Sequence, residues 1–77
     1  MEMEKDMEMN YKEMDRVRIM EYIARRGGEV SVEDILSESG AERLRVYSLL
    51  FEQTLSGEIE VMQEDAFGAP ERVRLLR

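Results

Sequence analysis

The chain has 77 residues, and its 18 acidic and 11 basic side chains give a net charge of −7 at pH 7. This length predicts one small domain with a small core. The absence of Cys and His excludes disulfides and thiolate metal sites, and it removes the usual general base of an enzyme. We therefore expect a protein that is not an enzyme and holds no cofactor or metal.

No apolar run approaches the roughly 20 residues that span a bilayer. The N-terminal segment MEMEKDMEMN also lacks the basic and apolar regions of a signal peptide. These features predict a soluble, cytoplasmic protein with no membrane contact and no small-molecule substrate. Because proteins that neutralise phosphates usually carry the opposite charge balance, the placement of the basic residues matters more than their number.

Residues 1–10 alternate Met with acidic residues and predict a disordered tail ahead of a domain over residues 11–77. Asn10 is a good N-cap with Glu13 three residues later, which starts the first helix at Tyr11. The alternative is a longer first helix that docks on a partner or a second copy. It rests on the 4-4-3 spacing of Met3, Met7, Tyr11 and Met14.

The first helix is predicted over residues 11–26. Gly27 and Gly28 end it, and Arg25 and Arg26 suit the negative end of its dipole. A phosphate contact from these two arginines is the functional alternative. The predicted core stripe is Val17, Ile19, Met20, Ile23 and Ala24.

Two capping boxes follow the first helix. After a short strand at residues 29–31, Ser31 with Asp34 predicts the start of a second helix. Ser39 with Glu42 predicts the start of a third helix, with Gly40 in the turn between them. Boxes this close together indicate a helix-turn-helix rather than one long helix.

The third helix is predicted over residues 39–57, and its helical periodicity separates two faces. The predicted core face holds Val46, Tyr47, Leu50, Phe51 and Thr54, with Leu44 and Leu55 at its margin. The predicted outer face holds Glu42, Arg45, Ser48, Leu49, Glu52, Gln53 and Ser56.

Residues 58–63 and 71–76 alternate apolar and polar side chains and predict two strands. The loop at residues 64–70 contains Gly and Pro and predicts a wing between them. The inward side chains are Ile59, Val61, Val73 and Leu75.

This order predicts an α+β winged helix-turn-helix with three helices and a small antiparallel sheet. The segments GEVSVEDIL at residues 28–36 and SGEI at residues 56–59 resemble winged-helix domains. The chain most resembles the C-terminal winged helix of bacterial DNA-processing protein A, and more distantly small winged-helix transcription regulators. Gln53, which replaces a usual aliphatic residue, and the longer acidic wing depart from that pattern. The large nucleotide-fold domain of the family is absent, so its strand-exchange activity is not implied.

The resemblance implies a small DNA-binding protein, a regulator or accessory factor in transcription or DNA processing. In such a protein the third helix enters the major groove and the wing contacts the backbone of double-stranded DNA. The residue types that can read bases or bind phosphates there are Arg43, Arg45, Ser48, Arg72 and Arg74.

A protein-interaction module that does not bind DNA is the alternative. Glu42, Glu52 and the acidic wing would repel phosphates. An apolar centre with a charged rim is the usual anatomy of a protein interface. The residues that predict this interface are Leu49, Glu52 and Phe67.

Overall fold

The computed structural model describes the backbone of residues 2–76 and the side chains of residues 11–76. It contains three helices and a three-stranded antiparallel sheet, so the predicted α+β class is confirmed. The arrangement is compatible with a small winged helix. In chain order the elements are α1 (Glu2–Arg25), β1 (Glu29–Ser31), α2 (Val32–Glu38), α3 (Arg43–Leu55), β2 (Ile59–Glu64) and β3 (Pro70–Leu75).

The sheet has the strand order β1-β3-β2, so the last strand lies in the middle. Val73 of β3 is opposite Val30 on one side and Val61 on the other, and Ile59 is opposite Leu75. These side chains belong to the core or pack against it, as the alternating sequence predicts. The register shifts between Val61 and Glu64, near the end of the β2–β3 hairpin.

Both long helices end at a glycine. At the end of α1 the Gly28 amide donates to the carbonyl of Ile23 at 2.8 Å, and at the end of α3 the Glu58 amide donates to that of Gln53 at 2.9 Å. Such bonds close a helix when the residue after the C-cap has a left-handed conformation. Gly57 has φ of +80°, which explains why the predicted stop at this glycine is correct.

The capping predictions have different outcomes at the two shorter connections. Ser31 caps α2, because its hydroxyl accepts from the Asp34 amide at 3.2 Å. The predicted Ser39 cap of α3 is wrong. Ser39 is the C-cap of α2, and α3 begins only at Arg43, with the Glu42 carboxylate accepting from the Leu44 amide at 3.2 Å.

Helix α1 begins at Glu2, earlier than the Tyr11 start that the capping pattern predicts. Asn10 is therefore inside the helix and is not its N-cap. The longer helix is the alternative that the methionine spacing indicates. The predicted disorder of residues 1–10 concerns residues whose side chains lie outside the described part of the chain, and it stays a prediction.

The core lies between the three helices and one face of the sheet. Helix α1 contributes Ile19, Tyr22 and Ile23. Val17 is 42% exposed and Ala24 is also exposed, so their predicted places in the core are wrong. The other buried apolar residues are Val30, Val32, Ile35, Ala41, Val46, Leu49, Leu50, Ile59 and Val73.

Candidate functional site

The core face of α3 differs from the one predicted. Leu49 is only 1% exposed, so its predicted position on the outer face and in a protein interface is wrong. The buried residues of α3 are Val46, Leu49, Leu50 and Gln53. This set has the same 3-4 helical spacing as the predicted one, and it packs toward α1 and the sheet.

The face of α3 that points to solvent is apolar. Tyr47 and Phe51, predicted as core residues, are 47% and 65% exposed, and Leu44 and Leu55 are exposed still more. At 100° per residue these side chains lie about opposite the buried ones. We call Leu44, Tyr47, Phe51 and Leu55 the α3 stripe. The sequence signal for it was present, because apolar residues repeat at helical spacing on two sides of this helix.

A groove of about 390 Å³ runs beside the α3 stripe, between α3 and the β2–β3 hairpin. Tyr47 and Phe51 line it from the helix, and Val61 and Pro70 line it from the hairpin. Tyr47 also borders a second groove next to α2. The apolar stripe is therefore continuous with two concave surfaces.

The tip of the hairpin is ordered by Asp65. Its side chain accepts from the amides of Phe67 at 2.8 Å and Ala69 at 3.0 Å. This Asx-type turn holds Phe67 in solvent, where it is 96% exposed as its predicted role in an interface requires. The carboxylate of Asp65 thus organises the turn.

Besides Asp65, three acidic residues border the grooves. Glu64 lines the groove beside Phe51, and Glu33 and Glu71 line the one next to α2. Within the described part of the chain, none of these three carboxylates has an ion-pair partner. The rim of the apolar surface is therefore negatively charged.

Arg45, predicted to read DNA, is held by the protein. Its guanidinium donates to the carboxylate of Asp15 at 2.6 Å, and Arg18 donates to the other oxygen at 3.3 Å. Asp15 is almost fully buried, so Arg45 neutralises a charge at the α1–α3 contact. A buried acid in α1 gives no periodic signal, so the sequence does not predict it.

The hairpin arginines are also paired. Arg72 contacts Glu29 and Arg74 contacts Glu60, each at 2.7 Å across neighbouring strands. The Ser48 hydroxyl donates to the carbonyl of Arg45 at 3.1 Å. Of the residues predicted to bind DNA, Arg43 alone is exposed and has neither a hydrogen bond nor an ion pair from its side chain to any described residue.

Glu52, the remaining residue of the predicted protein interface, is exposed but engaged. Its carboxylate lies 3.0 Å from the Lys12 ammonium group, so it links α3 to α1. It therefore lies beside the α1 contact rather than within the α3 stripe.

Arg26 belongs to a cluster with Tyr22 on α1. It lies 5.5 Å over the Tyr22 ring and 3.2 Å from Glu38, whose carboxylate also accepts from the Tyr22 hydroxyl at 2.8 Å. Burial, and then the hydrogen bond to Glu38, raise the pKa of the Tyr22 phenol above its ordinary value. Among the described residues, Arg25 has no side-chain partner.

An uncompensated amide lies in the core. Gln53 is 1% exposed, and neither its side-chain oxygen nor its side-chain nitrogen has a hydrogen-bond partner. The same position departs from the aliphatic pattern of winged-helix domains. Its predicted place on the outer face of α3 is wrong, because the side chain is buried.

No described helix is long and apolar enough to cross a membrane. Three or more metal-ligating side chains do not cluster anywhere in the part that the structure describes. Comparison of the chain with protein-family models, with curated proteins and with solved structures finds no match. The α3 stripe and its acidic rim form the candidate functional site.

Proposed function

We propose that this chain is a winged-helix protein-interaction module that binds through the α3 stripe. The observation that carries the proposal is the apolar outward face of α3, the face that DNA-binding winged helices turn toward the major groove. Leu44, Phe51 and Leu55 are between 65% and 92% exposed in a chain of this size. Contiguous exposed apolar surface of this kind marks interaction sites.

The charges around the stripe indicate the partner. Because Glu33, Glu64 and Glu71 have no ion-pair partner among the described residues, a complementary ligand carries Lys or Arg beside its apolar side chains. An amphipathic helix suits a groove of this kind, since its apolar side chains recur on one face. The proposed partner is therefore a basic amphipathic helix of another protein.

Paired cations weigh against DNA as the main ligand. Arg45, Arg72 and Arg74 each contact a carboxylate at 2.7 Å or less, and phosphate binding would have to compete with those contacts. Net charge of −7 opposes approach to a polyanion as well.

DNA binding remains the second candidate, and one observation favours it. Arg43 is the first residue of α3, is exposed and is unpaired among the described residues. A cation is unfavourable at the positive end of a helix dipole, so the dipole gives no reason for an arginine there. In this alternative Arg43 contacts phosphate or guanine.

The test is an NMR titration of the labelled full chain with three probes. Two are synthetic helical peptides with identical leucine spacing, one with lysines and one with glutamates at the flanking positions. The third is a mixed-sequence DNA duplex at low and at physiological salt. We expect the lysine peptide to shift the signals of Tyr47, Phe51 and Leu55, and the glutamate peptide to shift none of them.

Variants separate the two candidates. Phe51→Ser should abolish the response to the lysine peptide, and Arg43→Glu should leave it intact. Shifts that the duplex alone produces, that weaken steeply with salt and that vanish in Arg43→Glu would contradict the proposal and establish DNA binding. Arg45→Glu is unsuitable for this purpose, because it would place a carboxylate beside the buried Asp15.

A further inference from the structure

A second unpartnered face lies on α1, away from the α3 stripe. The side of α1 that packs on the core holds Asp15, Ile19, Tyr22 and Ile23, all buried. About 180° away at helical periodicity are Met14 and Val17, which are 44% and 42% exposed, and the exposed positions 21 and 24. Helix α1 therefore has one face that packs on its own domain and an opposite, largely apolar face that is interrupted by Glu21.

The outward face continues toward the N-terminus in the sequence. Met3, Met7 and Asn10 precede Met14 and Val17 at a 4-3-4-3 spacing, and the helix backbone includes all these positions. This spacing is the seven-residue repeat of a helix that packs against another helix. We call the positions 3, 7, 10, 14 and 17 the α1 seam.

The length of α1 explains why a second helix packed on the α1 seam would stabilise it. Helix α1 has 24 residues, or about 36 Å, and Asp15 is the first buried position among its described side chains. The described residues before that point, 11–14, are all exposed. A helical segment without tertiary packing is marginal in water, so an associated helix would stabilise this one.

The distribution of charge along α1 indicates which helix would pack on the α1 seam. Residues 2–15 of α1 contain six acidic and two basic side chains, whereas residues 16–26 contain four basic and one acidic. A second α1 running antiparallel places each half beside the half of opposite charge. A parallel copy would place like charges together. Arg16, Arg18 and Arg26 pair within their own chain. Among the described residues, Arg25 is therefore the cation of the basic half that remains for the acidic first half of another copy.

We infer that the chain forms a homodimer through an antiparallel pair of α1 helices packed along the α1 seam. Positions 4, 11, 18 and 25 lie along one flank of the seam. In the antiparallel register, position 4 is beside Arg25 of the second copy, and position 11 is beside its Arg18. Arg25, unpaired among the described residues of the single chain, then meets an acidic position. Met14 lies near the two-fold axis.

The first experiment is the mass of the full chain by sedimentation equilibrium. We expect twice the single-chain 9.1 kDa, and return to the single-chain mass in Met14→Glu. Met14 is exposed in one chain, so circular dichroism should show the variant folded. The matched control is Phe51→Glu on the α3 stripe, which should stay dimeric. A single-chain mass at high concentration, or a dimer lost in Phe51→Glu and kept in Met14→Glu, would overturn the inference.

The second experiment tests the direction of the helices and uses the absence of Cys from the chain. Under mild oxidation, Met14→Cys should give a disulfide-linked dimer, because the two copies of position 14 meet at the axis. Met7→Cys should not, since its two copies are about 20 Å apart in the antiparallel register. Cross-linking of both variants would show a parallel pair and overturn the antiparallel arrangement. Neither result depends on the α3 stripe, so this inference and the proposed function fail separately.

Discussion

Leu49 and Phe51 are two residues apart on α3 and have opposite surroundings. Leu49 is 1% exposed within the core, while Phe51 is 65% exposed on the α3 stripe. A deletion of apolar atoms therefore creates a cavity at the first position and removes only solvent contact at the second. Substitutions at Leu49 therefore test stability, and substitutions at Phe51 test binding by the α3 stripe.

We expect Leu49→Ala to lower the free energy of unfolding by about 2–5 kcal/mol, because buried leucines in small cores lose transfer energy and leave a cavity. Phe51→Ala should change it by at most about 0.5 kcal/mol. Chemical denaturation of both variants measures the difference. Equal losses at the two positions would contradict the orientation of α3.

Gln53 lowers the free energy of unfolding, because neither polar atom of its buried amide has a hydrogen-bond partner among the described residues. Gln53→Met keeps the unbranched shape and removes those atoms, and it should raise the free energy of unfolding by about 1–3 kcal/mol. Gln63→Met, on an exposed strand position, is the matched control and should change stability little. A loss of stability in Gln53→Met, measured by urea unfolding, would mean that the amide is satisfied in solution.

Tyr22 should titrate at higher pH than an ordinary phenol, because burial and the Glu38 carboxylate raise its pKa. A raised folded-state pKa means that the stabilisation is complete below the unfolded value of about 10 and is lost as pH rises through the folded value. Absorbance at the tyrosinate band follows this directly. Tyr22→Phe should remove the late component, and Tyr47→Phe should retain it.

At the scale of the elements, glycine-terminated ends determine where the helices stop. The amide of Gly57 donates to the carbonyl of Thr54, and the chain then turns into β2 with φ of +80° at Gly57. Apart from Gly57 and its two chain neighbours, no described atom lies within 4 Å of the position of an added Cβ. The requirement for glycine at this position therefore comes from the backbone conformation and not from space.

Gly57→Ala should destabilise the protein by about 1–2 kcal/mol, which is the cost of a left-handed conformation for an L-residue with a Cβ. Gly57→Asn is the control, since asparagine tolerates that conformation better and should cost less. Thermal unfolding compares them. A larger loss for asparagine would point to crowding instead of backbone strain.

At the scale of the whole molecule, electrostatic contacts join distant elements. The Asp15–Arg45 contact links α1 to α3, and Arg16 donates to Glu58 at 2.6 Å, linking α1 to the start of the hairpin. The hydrogen bond to Glu58 raises the pKa of Arg16. Together with the other ion pairs, these contacts bind most of the described cations to the protein itself, which leaves the acidic groups of the rim available.

We expect a double-mutant cycle on Asp15→Asn and Arg45→Met to give a coupling energy of about 1–3 kcal/mol, since one partner is a buried carboxylate. The same cycle on Glu29 and Arg72, which are both substantially exposed, should give less than about 1 kcal/mol. Unfolding free energies of the single and double variants measure both. Equal coupling in the two cycles would mean that burial of Asp15 adds nothing.

Features that depend on local chemistry can be predicted from the sequence. The strand faces of Ile59, Val61, Val73 and Leu75, the Ser31 cap and the stop at Gly57 follow from backbone preferences and alternation over a few residues. Residue types and charge also predict the two candidate functions, DNA binding and protein interaction.

The orientation of α3 about its own axis depends on tertiary packing. Its apolar residues repeat at helical spacing on two faces, so periodicity cannot choose between the set with Leu49 and the set with Phe51. In the folded chain the set with Leu49 packs against α1 and the sheet, and Gln53 is buried in the same set. Asp15 and Arg45 are 30 residues apart in sequence, and only folding brings their charges together. Burial depends on what lies opposite a residue, and a single sequence does not contain that information.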